Sequence, residues 1–203
     1  MIIVIDYGAA NLGSMRNMLK RIGVDAMVTS DVATIEGADK IILPGVGSFD
    51  QGVEALAKSG LIDPLRRKVL EDRIPILGVC LGAQLLGLGS EEGTKSGLGI
   101  VAMTCQRLPS DLSSGIRVPH MGWNYVKLKR KNALLAGLGG DARFYFVHSY
   151  YMVCDDESDV LTTTKYGIEF ASMICQGNIY GAQFHPEKSH RFGLKLLQNF
   201  VEL

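Results

Sequence analysis

Cys80 is the residue of this chain best placed to act as a nucleophile. It lies between two glycines in the run Gly78-Val-Cys-Leu-Gly82, directly after the apolar residues 74–77. The pattern predicts a short buried strand that turns abruptly into a helix starting at Leu81, with the cysteine side chain clear of a cramped backbone. The N–H groups at the start of such a helix lower the pKa of a thiol. The motif alone indicates acyl transfer through a thiolate and a buried structural cysteine about equally.

A histidine and a carboxylate near the other end of the chain supply the groups that a thiol needs. The segment 178–184 predicts a strand, and the run His185-Pro-Glu187 follows it. Pro186 disfavours a helical conformation at His185, so the chain stays extended there and residues two apart project to the same side. A cysteine nucleophile needs a base, and the base needs a third group that fixes its orientation. The sequence therefore predicts a triad of Cys80, His185 and Glu187.

The elements that must position these residues alternate between strand and helix in the first half of the chain. Apolar runs predict strands over 2–5, 24–28, 40–43 and 74–79. Helical spacing of apolar residues predicts helices over 11–22 and over 51–70, the second broken near Gly60 and Pro64. Such alternation is typical of a parallel sheet with helices on both faces, whose reactive residues gather at the carboxyl ends of the strands.

The second half of the chain is richer in β-forming residues. Short pieces at 116–118, 125–128, 142–147, 150–154, 160–164 and 169–175 predict antiparallel hairpins, and residues 191–201 predict a final helix. The predicted fold is thus α/β, with a mostly parallel central sheet flanked by helices and with antiparallel hairpins appended to it. We expect a single domain over residues 1–203.

Composition excludes several classes of function. The chain has 203 residues, a formal net charge of +0 and four cysteines without the paired spacing of a zinc site. With a sequence pI of about 6.9, nothing indicates binding to nucleic acid or to an anionic membrane, and we expect neither a metal nor another cofactor. The first residues are interpreted as a strand rather than a signal peptide. A reducing cytoplasm, which would keep Cys80 as a thiol, is the expected location.

A second glycine-rich segment lies on the predicted edge that carries Cys80. Gly45, Val46 and Gly47 follow the strand 40–43. A tetrahedral intermediate needs N–H donors aimed at its oxyanion, and glycines allow a backbone to present them. We predict that Gly45, Val46, Gly47 and the N–H of Leu81 form this oxyanion hole, against the alternative of a plain Pro-Gly turn.

These motifs together resemble those of the class I (triad) glutamine amidotransferases. The resemblance runs from end to end, over 5–12, 43–49, 78–84, 90–93, 119–124, 146–150 and 183–189. The Cys-Leu-Gly-x-Gln and His-Pro-Glu motifs are specific for that class. The Pro-Gly-Val-Gly and Pro-His-Met-Gly-Trp-Asn motifs are more similar to the glutaminase subunits of imidazole glycerol phosphate synthase, which act in histidine biosynthesis.

The resemblance implies a flavodoxin-like fold and the hydrolysis of glutamine to glutamate and ammonia through a cysteine thioester. It implies that Gln84 contacts the amino-acid end of glutamine, that Glu92 pairs with the ammonium group of glutamine, and that the segment His148-Ser149-Tyr150 lines the same pocket. In that family the oxyanion segment is able to flip and completes the hole only when a partner is active. No cofactor is implied.

A partner is implied as well, because this chain has no spare domain for an acceptor of ammonia. In the family it is a (β/α)8-barrel cyclase subunit that forms a heterodimer with the glutaminase and makes imidazole glycerol phosphate and an aminoimidazole carboxamide ribotide. Trp123 is the only tryptophan, and such a ring is a frequent interface anchor, although a Trp partly buried under a hairpin is nearly as good an interpretation. The residues that match interface positions are Asn11, His120, Met121, Trp123, Asn124 and Lys188.

Three alternatives remain open at this point. The tail 188–193 also resembles a paralogous branch that supplies ammonia for sugar amidation in surface-polysaccharide synthesis. A chain with an inactive site, kept as a scaffold, would not depend on Cys80. A peptidase or γ-glutamyl hydrolase on the same fold would be active without a partner.

Overall fold

The computed structural model describes residues 1–110 and 116–203. Its α-helices are α1 (Leu12–Arg21), α2 (Val32–Glu36), α3 (Phe49–Lys58), α4 (Ile62–Leu70), α5 (Leu81–Leu85) and α6 (His190–Glu202). Its strands are β1 (Ile2–Ile5), β2 (Met27–Thr29), β3 (Lys40–Gly45), β4 (Ile76–Cys80), β5 (Gly89–Ser90), β6 (Met103–Arg107), β7 (His120–Tyr125), β8 (Lys127–Leu128), β9 (Arg143–His148), β10 (Tyr150–Cys154), β11 (Val160–Tyr166), β12 (Ile168–Gln176) and β13 (Ile179–Ala182). Short 3₁₀ turns span Ala133–Leu135, Glu157–Asp159 and Pro186–Lys188.

The central sheet has a parallel half and an antiparallel half. Its main order is β2-β1-β3-β4-β13-β12-β10-β6-β5, and every pair from β2 to β13 is parallel. From β13 onward, β13 pairs with β12, β12 with β10 and β10 with β6, and these three pairs are antiparallel. Strands β11 and β8 extend the sheet from β12, while β7 and β9 form a separate two-stranded sheet. This is the α/β architecture predicted from the sequence.

Alternating apolar residues build a core on each face of the parallel strands. Along β1, Ile3 and Ile5 belong to one hydrophobic cluster and Val4 belongs to the other. Both clusters are fully buried at these positions because helices cover the two faces of the sheet. The result is a rigid platform whose carboxyl edge carries the ends of β3, β4 and β13.

Several predicted elements differ from the structure. The piece predicted at 116–118 is not one of the strands, and residues 120–125, which we interpreted only as a docking segment, form β7. The predicted strand 125–128 is divided between two strands, because Tyr125 ends β7 and Lys127–Leu128 form β8. The helical stretch 51–70 is two helices, α3 and α4, separated at Gly60, whose φ of +67° ends the first of them. Strands β5 and β6 and helix α2 were not predicted.

None of the helices in the described part of the chain is long and apolar enough to cross a membrane.

Candidate active site

The backbone at Cys80 makes a sharp turn between β4 and α5. Cys80 has a φ of +53°, which is uncommon for a residue with a side chain. A side chain at Gly82 would overlap the carbonyl oxygen of Leu43 on β3, and a Cβ at Gly78 would lie 2.6 Å from Cα of Ala83. The glycines are therefore required because the turn packs directly against its neighbours, as the sequence pattern suggested. This turn holds the thiol at the carboxyl edge of the sheet.

His185 and Glu187 form a buried pair after β13. Nδ1 of His185 lies 2.7 Å from Oε1 of Glu187, and the two side chains are 1% and 3% exposed. His185 is extended, as we predicted, but the extended chain does not continue to Glu187, because Pro186 begins the 3₁₀ turn. Its fixed φ suits the first position of such a turn. The N–H of His185 also donates to the carbonyl of Tyr145 on β9, 2.9 Å away, which fixes the backbone of the histidine.

The thiol of Cys80 and the imidazole of His185 line the same cavity. Burial lowers the pKa of His185, but polar contact with Cys80 and Glu187 and the negative charges of both groups together raise it above its ordinary value. Nε2 of His185 is buried and has no partner of hydrogen-bonding geometry among the described residues. It is therefore the ring nitrogen available to exchange a proton with the sulfur or with a bound substrate.

The segment after β3 faces the cysteine, but its central N–H points elsewhere. Gly45 is directly opposite Cys80 in the register of β3 and β4, and Val46 and Gly47 line the cavity. The N–H of Val46 donates to the carbonyl of Ala9 at 2.8 Å. In this conformation the N–H of Val46 is not directed at the cavity, so its predicted place in the oxyanion hole requires the segment to turn, as the resemblance implies. Leu81, the first residue of α5, also lines the cavity.

The residues expected to contact glutamine lie around the same cavity: Gln84, Glu92, His148, Ser149 and Tyr150. The amide nitrogen of Gln84 donates to the carbonyl of Tyr150 and to Oε1 of Gln183, each at 3.0 Å. Oε2 of Glu92 accepts the N–H of Phe49, the first residue of α3, at 2.8 Å. That bond fixes the carboxylate beside the cavity, and the residues that the structure describes offer its other oxygen no hydrogen-bond donor. His148 is different, because both of its ring nitrogens are already engaged by protein atoms.

Two buried residues at this site were not identified from the sequence. Gln183 places its amide nitrogen 3.9 Å from the sulfur of Cys80. The hydroxyl of Tyr7 is buried and has no hydrogen-bond partner within residues 1–110 and 116–203, and burial together with the charge of Cys80 raises its pKa. Gln183 could have been suspected, since it lies two residues before His185 and directly follows the buried strand β13.

The predicted partner-facing residues do not all reach the surface. Asn11, Met121, Trp123 and Lys188 are exposed, whereas Asn124 is half-buried. His120 is only 3% exposed, so its side chain cannot contact a partner directly, and this part of the prediction is wrong. Its ring is instead packed between aromatic side chains under β7.

Metal chemistry has no visible support in this cavity. Within residues 1–110 and 116–203, no group of three or more His, Cys, Asp or Glu side chains could hold a metal ion.

Comparison with known families decides what this site belongs to. The family model described as "Glutamine amidotransferase class-I" matches residues 3–203. The chain is a class I glutamine amidotransferase. The residues of the cavity therefore belong to an enzyme that takes the amide nitrogen of glutamine.

Relatives of this amidotransferase are similar over their whole length. "Imidazole glycerol phosphate synthase subunit HisH 2" of Methanococcus maripaludis is 52% identical over 202 residues, covering 100% of this chain and 99% of that protein. The protein of the same name from Pseudomonas aeruginosa is 50% identical and is covered completely. A solved structure titled "Crystal structure of glutamine amidotransferase" has a TM-score of 0.73 at 22% identity, covering 100% of this chain and 98% of that one. The last of these shows the fold alone.

We predict that Glu187→Gln lowers kcat of the amidotransferase for glutamine by about 10²- to 10⁴-fold, because a neutral amide cannot stabilise the protonated imidazole. The same change removes a negative charge that raises the pKa of His185. The pKa should therefore fall, and an NMR titration of the histidine rings would measure it.

Glu157→Gln is the matched control, because it removes the same charge from an exposed 3₁₀ turn. Equal kcat and an unchanged His185 titration in Glu187→Gln would contradict the role given to this carboxylate.

Proposed function

We propose that this chain is the glutaminase subunit of imidazole glycerol phosphate synthase. It hydrolyses glutamine and passes ammonia to a separate (β/α)8-barrel cyclase in the reducing cytoplasm. One observation carries the proposal: Cys80 and His185 line one cavity, and Glu187 is paired with His185, in a chain that matches subunits of this name from end to end.

The proposed chemistry proceeds through a thioester. His185 takes the thiol proton of Cys80 on Nε2, and the resulting thiolate attacks the side-chain carbonyl carbon of glutamine. Collapse of the tetrahedral intermediate breaks the carbon–nitrogen bond, and His185 returns the proton to the departing ammonia. Water then attacks the thioester with the same histidine as base, which releases glutamate and restores the thiol. Glu187 holds the imidazole in the tautomer that leaves Nε2 free to accept.

The oxyanion of these steps needs donors that the present conformation provides only in part. The N–H of Leu81 lies at the start of α5, where helical N–H groups have no intrahelical partner. We propose that Gly45, Val46 and Gly47 turn to supply the second donor, which requires the Val46 N–H to leave the carbonyl of Ala9. Docking of the barrel subunit would be the event that favours this change.

Recognition of glutamine is assigned to other residues that line the cavity. The free oxygen of Glu92 suits the ammonium group of the substrate, and Gln84 suits its amino-acid end. Ser149 and Tyr150 would contribute through the backbone of the segment that lines the cavity.

The docking surface is proposed to lie on the small sheet next to the cavity. Met121, Trp123 and Tyr125 alternate along β7 with exposures of 62%, 43% and 57%. Such a row of large apolar side chains on one side of a strand is typical of an interaction surface. Lys188 is exposed beside Glu187, and Asn11 is exposed just before α1. These positions would bring the partner close to the catalytic pair.

A second candidate differs only in the acceptor of ammonia. The segment 188–193 resembles a paralogous subunit that feeds sugar amidation in surface-polysaccharide synthesis, and it is the feature that supports this candidate. The glutaminase chemistry would be the same in both cases.

The decisive experiment is co-purification with the barrel subunit, followed by glutamine-dependent conversion of the phosphoribosyl-formimino nucleotide acceptor. Formation of imidazole glycerol phosphate and rescue of a histidine auxotroph lacking its own glutaminase subunit are the expected results. Ammonia release without conversion of this nucleotide, together with failed rescue, would favour the sugar pathway. Strong glutaminase activity from the isolated chain would favour an independent hydrolase.

We predict that Trp123→Ala weakens association with the barrel cyclase about 30-fold, because truncating a central aromatic anchor costs about 2 kcal/mol. Isothermal titration calorimetry measures the change in Kd. Met27→Ala is the matched control, since Met27 is 46% exposed on β2, outside the proposed surface. An equal Kd for Trp123→Ala and the wild type would remove Trp123 from the interface.

A further inference from the structure

Two buried histidines meet behind the glutamine cavity. His120 on β7 is directly opposite His148 on β9, and the two side chains are almost completely buried. Nδ1 of His120 lies 3.0 Å from Nε2 of His148. Only His148 lines the cavity, whereas His120 has no contact with it. The proposed mechanism uses neither ring.

The neighbours of this pair fix which nitrogen carries each proton. Nδ1 of His148 lies 2.8 Å from the carbonyl oxygen of Tyr150, which can only accept, so Nδ1 of His148 is protonated. For a neutral ring, Nε2 of His148 is then an acceptor, and Nδ1 of His120 must donate to it. Nε2 of His120 becomes an acceptor in turn, and the amide nitrogen of Asn124 donates to it at 3.2 Å.

The orientation of Asn124 is fixed independently. Its Oδ1 accepts the N–H of Tyr125 at 2.8 Å, and its Nδ2 also donates to the carbonyl of Lys165 at 3.1 Å. The hydrogen bonds therefore run in one direction from Asn124 to Tyr150, with each histidine in the Nδ1–H form. Burial lowers the pKa of His120 to about 4 and that of His148 to about 3, which keeps both rings neutral in a cell.

The ring of His120 has no freedom to turn away. It is stacked between Phe146, at a centroid distance of 4.8 Å, and Tyr166, at 4.0 Å. Aromatic neighbours on both faces fix the plane of the imidazole, and the two nitrogens at its edge find one partner each.

The far end of this chain of hydrogen bonds reaches the substrate pocket. The carbonyl of Tyr150, which accepts from His148, also accepts from Gln84. Gln84 also donates a hydrogen bond to Gln183, whose amide nitrogen is next to the sulfur of Cys80. A displacement of His148 would therefore move the carbonyl on which Gln84 depends.

We infer that His120 is a positioning residue for glutamine: it donates a hydrogen bond to His148 and so connects the exposed strand β7 to the Tyr150 carbonyl that holds Gln84. This inference rests on the proposed function, because it assigns Gln84 to the binding of glutamine. The end of this connection farther from the cavity is Asn124, a half-buried residue that directly follows the exposed Trp123 on β7.

Two substitutions separate the hydrogen bond from the stacking. His120→Phe keeps an aromatic ring between Phe146 and Tyr166 but has no N–H, so Nε2 of His148 loses its donor. His120→Asn loses the stacked ring but can place an amide N–H where Nδ1 was. We expect His120→Phe to raise KM for glutamine about tenfold in the complex with the barrel subunit, with kcat within about twofold, because a buried acceptor is left without a partner. His120→Asn should restore much of the KM even if its melting temperature is lower.

An unchanged KM in folded His120→Phe, or equal impairment of both variants, would overturn the inference. A second measurement does not depend on folded variants or on turnover. Long-range ¹H–¹⁵N NMR of the wild-type histidine side chains is expected to show His120 and His148 in the Nδ1–H tautomer. An Nε2–H tautomer at either ring would also overturn it. Absence of any ammonia release by the complex would refute the proposed function, while the two tautomers would still decide the hydrogen-bond arrangement.

Discussion

Cys80→Ala is expected to abolish ammonia release from glutamine, with a loss of at least about 10⁴-fold in kcat, because no other group of the cavity can form the thioester. The complex should still convert its acceptor when free ammonia is supplied, since that reaction uses only the partner's site. The measurement compares glutamine-dependent and ammonia-dependent product formation by the same preparation. Normal turnover in Cys80→Ala would support a scaffold, and loss of both activities would indicate a broken complex.

Cys80→Gly extends this test to the backbone. Both replacements remove the thiol, but only glycine adopts the φ of +53° without steric cost. The ordinary preference for alanine over glycine should therefore be reversed here, with Cys80→Gly more stable than Cys80→Ala by about 1 kcal/mol in urea unfolding. The opposite order would mean that the turn carries no strain.

The largest expected effect on stability comes from Gly82→Ala. The added methyl group would overlap the carbonyl oxygen of Leu43, and a backbone atom in the middle of a sheet cannot move aside cheaply. We predict that the free energy of unfolding falls by about 3 kcal/mol and that glutaminase activity is lost, because α5 and Cys80 must shift away from β3. Chemical denaturation and the glutaminase assay measure the two effects.

Gly13→Ala is the control for Gly82→Ala. Gly13 is also helical, in α1, but a Cβ there would meet no atom within 4 Å. It should gain up to about 1 kcal/mol from helix propensity. Similar effects of the two substitutions would contradict the close packing of Gly82 against β3.

The parallel half of the fold was predictable because its strands are short apolar runs bounded by clear turn residues. The shared cavity of Cys80 and His185 was predictable for a related reason: each residue ends or follows such a run, and the ends of parallel strands meet at one edge. No such apolar run marks β7. Its residues include His120, Gly122 and Asn124, a polar pattern that obscures a strand whose buried position is occupied by a histidine.

Three details of the site depend on tertiary contacts that no local pattern contains. The glycines beside Val46 indicate a segment able to move, but only the carbonyl of Ala9 decides where its N–H points. The 3₁₀ turn at Pro186 is compatible with the same proline that we interpreted as keeping the chain extended. The burial of His120 requires Phe146 and Tyr166, which are distant in sequence.

The hydrogen bond between Val46 and Ala9 has a consequence for when this enzyme consumes glutamine. A backbone hydrogen bond contributes about 1 kcal/mol net, and on the proposed role of this segment it is the bond that keeps the oxyanion unassisted. The free subunit is then inactive at rest, and one weak hydrogen bond keeps it so. A partner whose docking free energy is many times larger can break this hydrogen bond. Glutamine is then hydrolysed only where a partner can accept its nitrogen.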